Sequence, residues 1–190
     1  MKYLKILLAI VAALILAVMV YALTLPSEIA IKRTIKIKVP QSFAYDYLLN
    51  LQNWEEWTIW KESDSTLVYT YNDIKEGKGA KQTWNGDHTE PASLIFTGVE
   101  PPEKIDFELN WNNGETSFSG YIKTIRFEQE FTKIEWVHYK DVGWNPFMKL
   151  LGSMLENVMG PNFEKSLSNL KKKLEHRYNV DTKKINVVIN

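Results

Sequence analysis

The 190-residue sequence contains no cysteine. This absence excludes disulfides, thiol nucleophiles, iron–sulfur clusters and every zinc site that needs a cysteine ligand. The three histidines, His88, His138 and His176, are far apart and do not show the spacing of a metal site. The sequence therefore predicts neither a metal nor a cofactor, and it leaves packing as the source of stability.

The sequence also lacks an excess of charge of either sign. Lys and Arg number 23, and Asp and Glu number 23. No basic stripe stands out, so we expect no nucleic-acid partner. Gly-rich phosphate loops, nucleophile elbows and dinucleotide fingerprints are missing as well. With 45% hydrophobic and 13% aromatic residues, the chain is long enough for one well-filled core and short for two.

Residues 6–25 contain no charge at all. This apolar run follows Lys2 and Lys5, and as a helix it would be ~30 Å long, about the thickness of one hydrocarbon core. It predicts a single-pass membrane anchor over residues 1–26. The alternative is a cleaved signal peptide, because Val20-Tyr21-Ala22 offers small residues to a signal peptidase, but the run is long for one. A buried core helix is disfavoured because every face of the segment is apolar.

The charges that flank the anchor give conflicting indications of its orientation. Lys2, Lys5 and the terminal amine favour a cytoplasmic N-terminus. Four basic residues beyond the anchor favour the opposite orientation by simple counting, namely Lys32, Arg33, Lys36 and Lys38. Since a large domain can translocate whatever its charge, we expect the domain to lie outside the cytoplasm.

Beyond the anchor the pattern changes to an alternation of period two. From Ile29 to Val39 the apolar residues fall on one face and the basic residues on the other, which predicts a long, half-buried strand. Arg33 interrupts the apolar row, so we expect that end of the strand to leave the core. Six further strands are predicted at Thr66–Tyr71, Ala80–Trp84, Ala92–Val99, Lys104–Trp111, Thr116–Phe127 and Glu130–Lys140.

Two Asn-Gly pairs and one Gly-Pro pair divide these elements. Asn85-Gly86 and Asn113-Gly114 predict hairpin turns, so the strands should form an antiparallel meander. Gly160-Pro161 predicts a break or a sharp kink in a helical region.

Helical spacing predicts a short helix after Pro40, a second one over Leu51–Trp57 and a long one over Pro146–Tyr178. The long helix carries two apolar stripes. The first stripe contains Phe147, Leu151, Met154, Leu155 and Val158, and the second contains Phe163, Leu167, Leu170 and Leu174. This helix is the only long amphipathic element available to cover a sheet with one apolar face. The predicted fold is therefore α+β, with a curved antiparallel sheet wrapped around the C-terminal helix.

Trp54, Trp57 and Trp60 stand at three-residue spacing. Such a cluster either walls an apolar cavity or fills a core. Four segments, in this order, resemble a known family: Ser42–Leu48, Leu51–Lys61 with its tryptophans, Gly79-Ala80 and Asn162–Lys171. They are similar to the polyketide cyclase/dehydrase-like branch of the START-like (SRPBCC) superfamily over about residues 28–178.

The resemblance implies a helix-grip fold with a deep apolar cavity between the sheet and the C-terminal helix. It also implies binding of lipids, sterols, polyketides or other hydrophobic molecules. We therefore expect an anchor over residues 1–26, a ligand-binding domain over residues 27–178 and a tail over residues 179–190. The segment Tyr178–Asn190 contains Ile185, Val187, Val188 and Ile189, which favour a strand, either an edge strand of the sheet or a short remnant of the effector-binding domain that some relatives carry.

Strand alternation and the first helix stripe indicate which residues would line such a cavity. The candidates are Trp57, Trp60, Trp84, Phe107, Trp111, Trp136, His138, Phe147, Leu151, Met154, Leu155 and Val158. Core packing is the alternative for each of them, and for Trp54 it is the preferred interpretation. A ligand in such a cavity would be held mainly by burial of apolar area, at ~25 cal/mol per Å², with a few polar groups fixing its orientation.

We expect a membrane-anchored domain that binds a hydrophobic small molecule or lipid, and the sequence does not indicate a protein partner. Two alternatives stay open. An enzyme of the cyclase, dehydratase or hydrolase kind would use a cavity-facing group such as His138 or Tyr121. An interaction module would have a packed interior without a ligand, and its tethered surface would meet another envelope protein.

Overall fold

The structure is a computed structural model that describes residues 1–189, with side chains described through residue 184. Helices α1 to α4 are Lys2–Thr24, Gln41–Leu49, Trp60–Ser63 and Pro146–Ile189, and a 3₁₀ helix covers Leu51–Glu56. Strands β1 to β7 are Glu28–Ile37, Val68–Tyr71, Lys81–Asn85, Ala92–Glu100, Lys104–Trp111, Thr116–Glu128 and Phe131–Asp141.

The seven strands form one antiparallel sheet in the order β1-β7-β6-β5-β4-β3-β2. The predicted strands and their meander are confirmed. Strands β4 and β6 each contain an irregularity of the β-bulge type, between Phe96 and Gly98 and between Arg126 and Glu128. Bulges bend a strand and increase its twist. The result is a curved sheet whose concave face receives α4, as the helix-grip fold requires.

Helix α1 is 23 residues long, with a mean hydropathy of 3.0 over its most apolar window, and is long and apolar enough to cross a membrane. Its side chains are exposed almost throughout, and Ala22 is its one buried residue. The helix therefore does not serve as a core element of the domain.

The second stripe of α4 forms the helical side of the core. Phe163, Leu167, Leu170 and Leu174 are all buried against the inward residues of the sheet. Strand β5 supplies inward residues at the predicted alternate positions, among them Phe107. The prediction that α4 covers the apolar face of the sheet is confirmed for this half of the helix.

Helix α4 continues through Pro161, so of the two alternatives predicted at Gly160-Pro161 the break does not occur. Proline lacks a backbone N–H, so the helix forgoes the bond to the carbonyl of Asn157. Gly160 has a different role, because a Cβ there would lie 2.1 Å from Nη2 of Arg33. Its missing side chain leaves room for the guanidinium of Arg33 against α4.

Arg33 joins β1 to α4. Its Nε lies 2.8 Å from Glu164 and its Nη1 lies 3.1 Å from Glu156, and the hydrogen bonds to these two carboxylates raise the pKa of Arg33. Ile29 and Ile31 on the same side of the strand are buried. The expectation that this end of β1 leaves the core is wrong, because the first half of α4 covers it.

The end of the chain is helical, since α4 extends to Ile189. The predicted edge strand in Tyr178–Asn190 is therefore wrong for the described residues, and residue 190 lies outside them. Extending an existing helix costs much less than nucleating a new element. A strand would also need a free sheet edge for its backbone hydrogen bonds.

The two Asn-Gly pairs behave differently. Asn113 and Gly114 have φ values of 55° and 97°, so the predicted left-handed turn is confirmed. Asn85 ends β3, but β4 begins only at Ala92, so Asn85-Gly86 does not form a tight hairpin. A Cβ at Gly86 would lie 2.4 Å from Oδ2 of Asp64. The glycine is needed there for close packing of the loop on this carboxylate.

Candidate ligand-binding cleft

Aromatic side chains fill most of the space between the sheet and α4. Trp54 is fully buried, and its ring centroid lies 5.0 Å from that of Trp57 and 5.5 Å from those of Phe96 and Phe107. Its Nε1–H donates to the carbonyl of Leu48 at 2.8 Å. Trp54 is thus a scaffold residue, and the deep cavity implied by the resemblance is largely occupied by the protein's own rings.

A cleft of about 200 Å³ remains open at one end of this aromatic core, between α3 and α4. Three of the predicted residues line it, namely Trp60, Trp111 and Trp136. The other lining residues are Ile59, Ser63, Thr89, Met159, Asn162, Phe163 and Ser166. The cleft is therefore mainly apolar and aromatic, with several hydroxyl groups and one amide among its walls.

Ring stacking positions the two aromatic walls. Trp60 stacks on Trp84 with centroids 4.5 Å apart and an interplanar angle of 17°, and Trp84 meets Trp111 edge-on at 5.8 Å. On the opposite side Phe163 of α4 stacks on Trp136 of β7 at 4.2 Å. Each of the two stacked pairs joins a helix to a strand, and the edge-on pair joins β3 to β5, so the rings of the walls are held by the scaffold.

Two hydrogen-bonded contacts fix the loops around the cleft. The backbone N–H of Ile59 donates to Oγ of Ser166 at 3.2 Å, which ties the start of α3 to α4. The Asp64 carboxylate accepts the backbone N–H groups of Thr66 and His88, each at 3.0 Å. The hydrogen bonds to this carboxylate, led by that from the Thr66 hydroxyl, lower the pKa of Asp64 to about 2. The loop that carries Thr89 is thereby held beside the cleft by an ionised group.

His138 lies behind the cleft, in the aromatic core. Its ring centroid is 4.7 Å from that of Phe163, 5.0 Å from Phe107 and 5.1 Å from Trp136. Burial lowers the pKa of His138 to about 3, so the imidazole is neutral at physiological pH. This environment does not suit a group that must gain and lose a proton near neutral pH.

Tyr121, the other group considered for catalysis, does not face the interior. It alternates with the buried residues Gly120 and Ile122 on β6, and its hydroxyl donates to Glu135 at 3.1 Å. Glu135 also pairs with Lys32 at 2.8 Å. The expectation of a cavity-facing Tyr121 is therefore corrected, because the strand register places it on the outer face.

The aromatic core contains polar atoms without partners. Within the described residues, Nε1 of Trp57, Nε1 of Trp136 and Nε2 of His138 are buried and form no hydrogen bond. Buried polar atoms in native proteins usually have a partner. The core therefore retains unused hydrogen-bonding capacity directly behind the cleft.

The remaining predicted residues fall into two groups. Trp57, Trp84, Phe107 and His138 are buried beside the cleft or behind it. Phe147, Leu151, Met154 and Val158 are exposed, and Leu155 is half-buried. The expectation that this first stripe lines the cavity is corrected, because Gly152 brings the other side of α4 against β1. A Cβ at Gly152 would lie 2.2 Å from Cδ1 of Ile29.

Several residues of the cleft carried no hydrophobic signal in the sequence. Ser63, Thr89, Asn162 and Ser166 are polar, and only the fold brings them together. Phe163 was predicted to lie on the second stripe but not to line a cavity. Tertiary structure alone identifies Ile59, Met159 and the four polar residues as part of the lining.

A larger hollow of about 510 Å³ lies on the outer face of the sheet. Its lining includes Lys81, Thr83, Ser93 and Asn110. On β3, Thr83 alternates with the buried Gln82 and Trp84, which places this hollow on the face opposite α4. Since seven of its eleven lining residues are polar, it suits an apolar ligand less well than the aromatic cleft does.

The fold recurs in solved structures of low sequence identity. A Thermobifida fusca protein matches with a TM-score of 0.59 at 11% identity, covering 77% of this chain and 93% of its own. Protein SA2116 from Staphylococcus aureus matches with a TM-score of 0.58 at 11% identity, covering 80% and 98%. The Aha1 protein from Colwellia psychrerythraea matches with a TM-score of 0.50 at 15% identity, covering 77% and 96%. These similarities establish a shared fold.

Sequence comparison assigns the family. No curated protein sequence gives a significant match to the chain. The family model described as polyketide cyclase / dehydrase and lipid transport matches residues 28–175, most of the chain, including every strand of the sheet and the second stripe of α4. The chain therefore belongs to the polyketide cyclase/dehydrase and lipid transport family.

Proposed function

We propose that this protein is a membrane-anchored domain that binds a small hydrophobic group in the cleft between α3 and α4. The observation that carries this proposal is the aromatic cleft of about 200 Å³ lined by Trp60, Trp111, Trp136 and Phe163. The family description, which includes lipid transport, supports a hydrophobic ligand.

The size of the cleft limits what it can hold. An apolar cavity of ~150 Å³ accepts benzene, whereas pockets for drug-sized ligands span ~300–1,000 Å³. A cleft of about 200 Å³ therefore suits a single aromatic ring or a short stretch of acyl chain. A larger ligand would bury only part of itself there, with the rest outside.

The polar residues of the cleft would orient such a ligand. Ser63 and Asn162 are exposed and Thr89 is half-buried, so all three lie towards the solvent side of the lining. Ser166 is buried and already accepts the N–H of Ile59. We expect the ligand to place its apolar part against the rings and a hydroxyl or carbonyl group near the exposed polar residues.

Filling the cleft tests this proposal. The full chain in mild detergent is titrated with indole, and Met159→Trp is compared with Leu151→Trp. Met159 lines the cleft, whereas Leu151 lies on the exposed stripe. We expect saturable binding in the parent chain and in Leu151→Trp, and its loss in Met159→Trp. Equal titrations of all three would reflect indole in the detergent and contradict a site in the cleft.

Helix α1 supports the anchoring part of the proposal. It is apolar, exposed and joined to β1 by a short segment, so the domain would be held close to the membrane. We propose that α1 is retained and that the domain lies outside the cytoplasm. Mass measurement of the mature chain tests retention, and protease digestion of intact cells tests the side. A chain shortened by the length of α1 would contradict the anchor.

A ligand-free interaction module is the second candidate, and the filled aromatic interior favours it. Trp54, Trp57 and Phe107 occupy the space in which a deep cavity is expected for this fold. If extracts of the purified protein contain no recurrent small molecule and indole does not bind, this second function is preferred.

A further inference from the structure

The first half of α4 exposes a continuous apolar face to solvent. We call it the α4 apolar face and define it as Phe147, Leu151, Met154 and Val158, which are between 43% and 68% exposed. Their spacing places them on one side of the helix. Trp144, just before the helix begins, is 83% exposed. Soluble proteins rarely expose such a contiguous apolar patch unless something binds it.

This face begins beside the membrane-spanning candidate α1. Pro146, Phe147 and Leu150 line one apolar hollow together with five residues of α1, namely Leu14, Ile15, Val18, Met19 and Ala22. The start of α4 therefore lies alongside the last turns of α1. The α4 apolar face and the apolar surface of α1 adjoin one another.

Lys149 fixes this arrangement. Its buried ammonium group donates to the carbonyl of Leu25 at 2.8 Å and lies 3.5 Å from that of Leu23. These carbonyls lie at the C-terminal end of α1, where a cation is favourable to the helix dipole. Gly152 presses the same side of α4 against Ile29 of β1. Because both contacts use the side of α4 that faces the protein, the apolar face stays directed outward.

We propose that the α4 apolar face docks into the interface of the bilayer that α1 crosses. This inference rests on the membrane anchoring in the proposed function and adds a second membrane contact, made by the domain itself. An amphipathic helix lies in the interface with its apolar face in the acyl-chain boundary. Trp144 at the start of the face has the amphipathic ring that is enriched at headgroup level.

The continuity with α1 is what selects a bilayer as the occupant. Once α1 is inserted, the domain cannot move far from the membrane surface, because only residues 25–27 separate α1 from β1. The face that adjoins α1 is then the part of the domain nearest to lipid. A second copy of the chain would have to cover the same face while also accommodating its own α1.

The position of the face also bears on the cleft. The α4 apolar face ends at Val158, and the next residue, Met159, lines the cleft. With the face in the interface, a hydrophobic group would have a short path between the bilayer and the cleft. The domain would then exchange its ligand with the membrane that holds it.

The absence of cysteine allows a direct test with single labelled positions. Phe147→Cys, Leu151→Cys and Val158→Cys are each labelled with an environment-sensitive fluorophore in the full chain, reconstituted in phosphatidylcholine vesicles. Lipids that carry a nitroxide near the headgroup or deep in the acyl chain serve as quenchers. Ser153→Cys, exposed on another side of the same helix, is the matched control. Near-UV circular dichroism checks that each variant is folded.

We expect the three face positions to be quenched several-fold more than Ser153→Cys. Quenching equal to that control would overturn the inference. So would emission that reports shielding from water without quenching by lipid nitroxides, since that outcome indicates a second copy of the chain on the face. A label at Leu8→Cys in α1 separates the two proposals. If it is quenched while the face is not, anchoring stands and interfacial docking fails; if neither is quenched, both fail.

Discussion

The two apolar stripes of α4 have similar composition and opposite surroundings. The second stripe, with Leu167, Leu170 and Leu174, is buried under the concave face of the sheet. The first stripe, with Phe147 and Leu151, is exposed and adjoins α1. Helical periodicity shows that a face is apolar, but it does not show whether protein or lipid covers that face.

The difference arises from what each half of α4 packs against. The second half packs on the aromatic core, where Phe163 stacks on Trp136 of β7. The first half follows β1 at the edge of the sheet, held by Gly152 on Ile29 and by Arg33 on Glu156. Because an edge strand offers one narrow contact, only one side of the helix is covered there.

Truncating one side chain in each stripe should give the largest difference in the free energy of unfolding. Leu170 is fully buried, so Leu170→Ala should reduce the free energy of unfolding by ~2–5 kcal/mol through lost burial and a cavity. Leu151→Ala on the exposed stripe should change it by less than ~0.5 kcal/mol. Urea unfolding of the full chain in mild detergent measures both. Equal losses would show that the two stripes are alike in packing.

Acid should reduce the stability of the buried core that the second stripe covers, because this core contains His138. The folded-state pKa of His138 is about 3, below its ordinary value of 6.5, so the unfolded chain takes up the proton first as the pH falls. Above pH 6.5 His138 is neutral in both states and does not affect the free energy of unfolding. Between pH 6.5 and pH 3 only the unfolded chain takes up this proton, so the free energy of unfolding falls by ~1.4 kcal/mol per pH unit. In urea unfolding over this pH range, the free energy of unfolding should therefore fall less steeply in His138→Leu than in the parent chain, while carboxylates with a lowered pKa, such as Asp64, keep part of the slope. An unchanged slope in that variant would contradict a neutral, buried His138.

Adding one methyl group at Gly152 should destabilise the contact between the first half of α4 and β1. In Gly152→Ala the new Cβ would lie 2.2 Å from Cδ1 of Ile29, so overpacking should cost ~1–3 kcal/mol. The gain in helix propensity, ~1 kcal/mol, offsets part of this cost. Thermal unfolding of Gly152→Ala is compared with Gly152→Ala combined with Ile29→Ala. If removing the Ile29 side chain does not relieve part of the loss, the close approach is not its cause.

Cutting the ionic link between β1 and α4 should have the smallest effect. Arg33→Met removes the bonds to Glu156 and Glu164, whose side chains are mostly exposed, so we expect a loss of ~0.2–1 kcal/mol that shrinks in high salt. Lys38→Met, which removes the exposed pair with Glu130, is the control. A loss from Arg33→Met that does not depend on salt would indicate packing of the arginine stem as the cause.

Much of the fold could be predicted because its signals are local. Strand β5 has the predicted bounds, and Asn113-Gly114 forms the predicted left-handed turn. Asn85-Gly86 has the same sequence but does not form a tight hairpin, and its glycine is needed because residue 86 packs closely against Asp64. A propensity describes the cost of a backbone conformation, and a tertiary contact can outweigh it.

The cleft could be predicted only in part. Trp60, Trp111 and Trp136 were among the candidates because they alternate inward or continue the tryptophan series. Asn162 and Ser166 lie one turn apart on α4, but both are distant in sequence from Thr89, so only the packing of α3 and a loop against α4 brings the three together. The tryptophans Trp54 and Trp57 have the spacing of Trp60, yet both are enclosed by the core.

The sequence by itself determined the apolar N-terminal helix, the seven alternating strands and the amphipathic C-terminal helix, because each depends on the order of residues within a short segment. Tertiary structure decided which apolar surfaces meet. It filled the interior with tryptophan rings, left a cleft of about 200 Å³ at one end, and turned the first stripe of α4 outward beside α1. The physical reason is that burial depends on the neighbours that distant segments supply, and these contacts leave no period in the sequence.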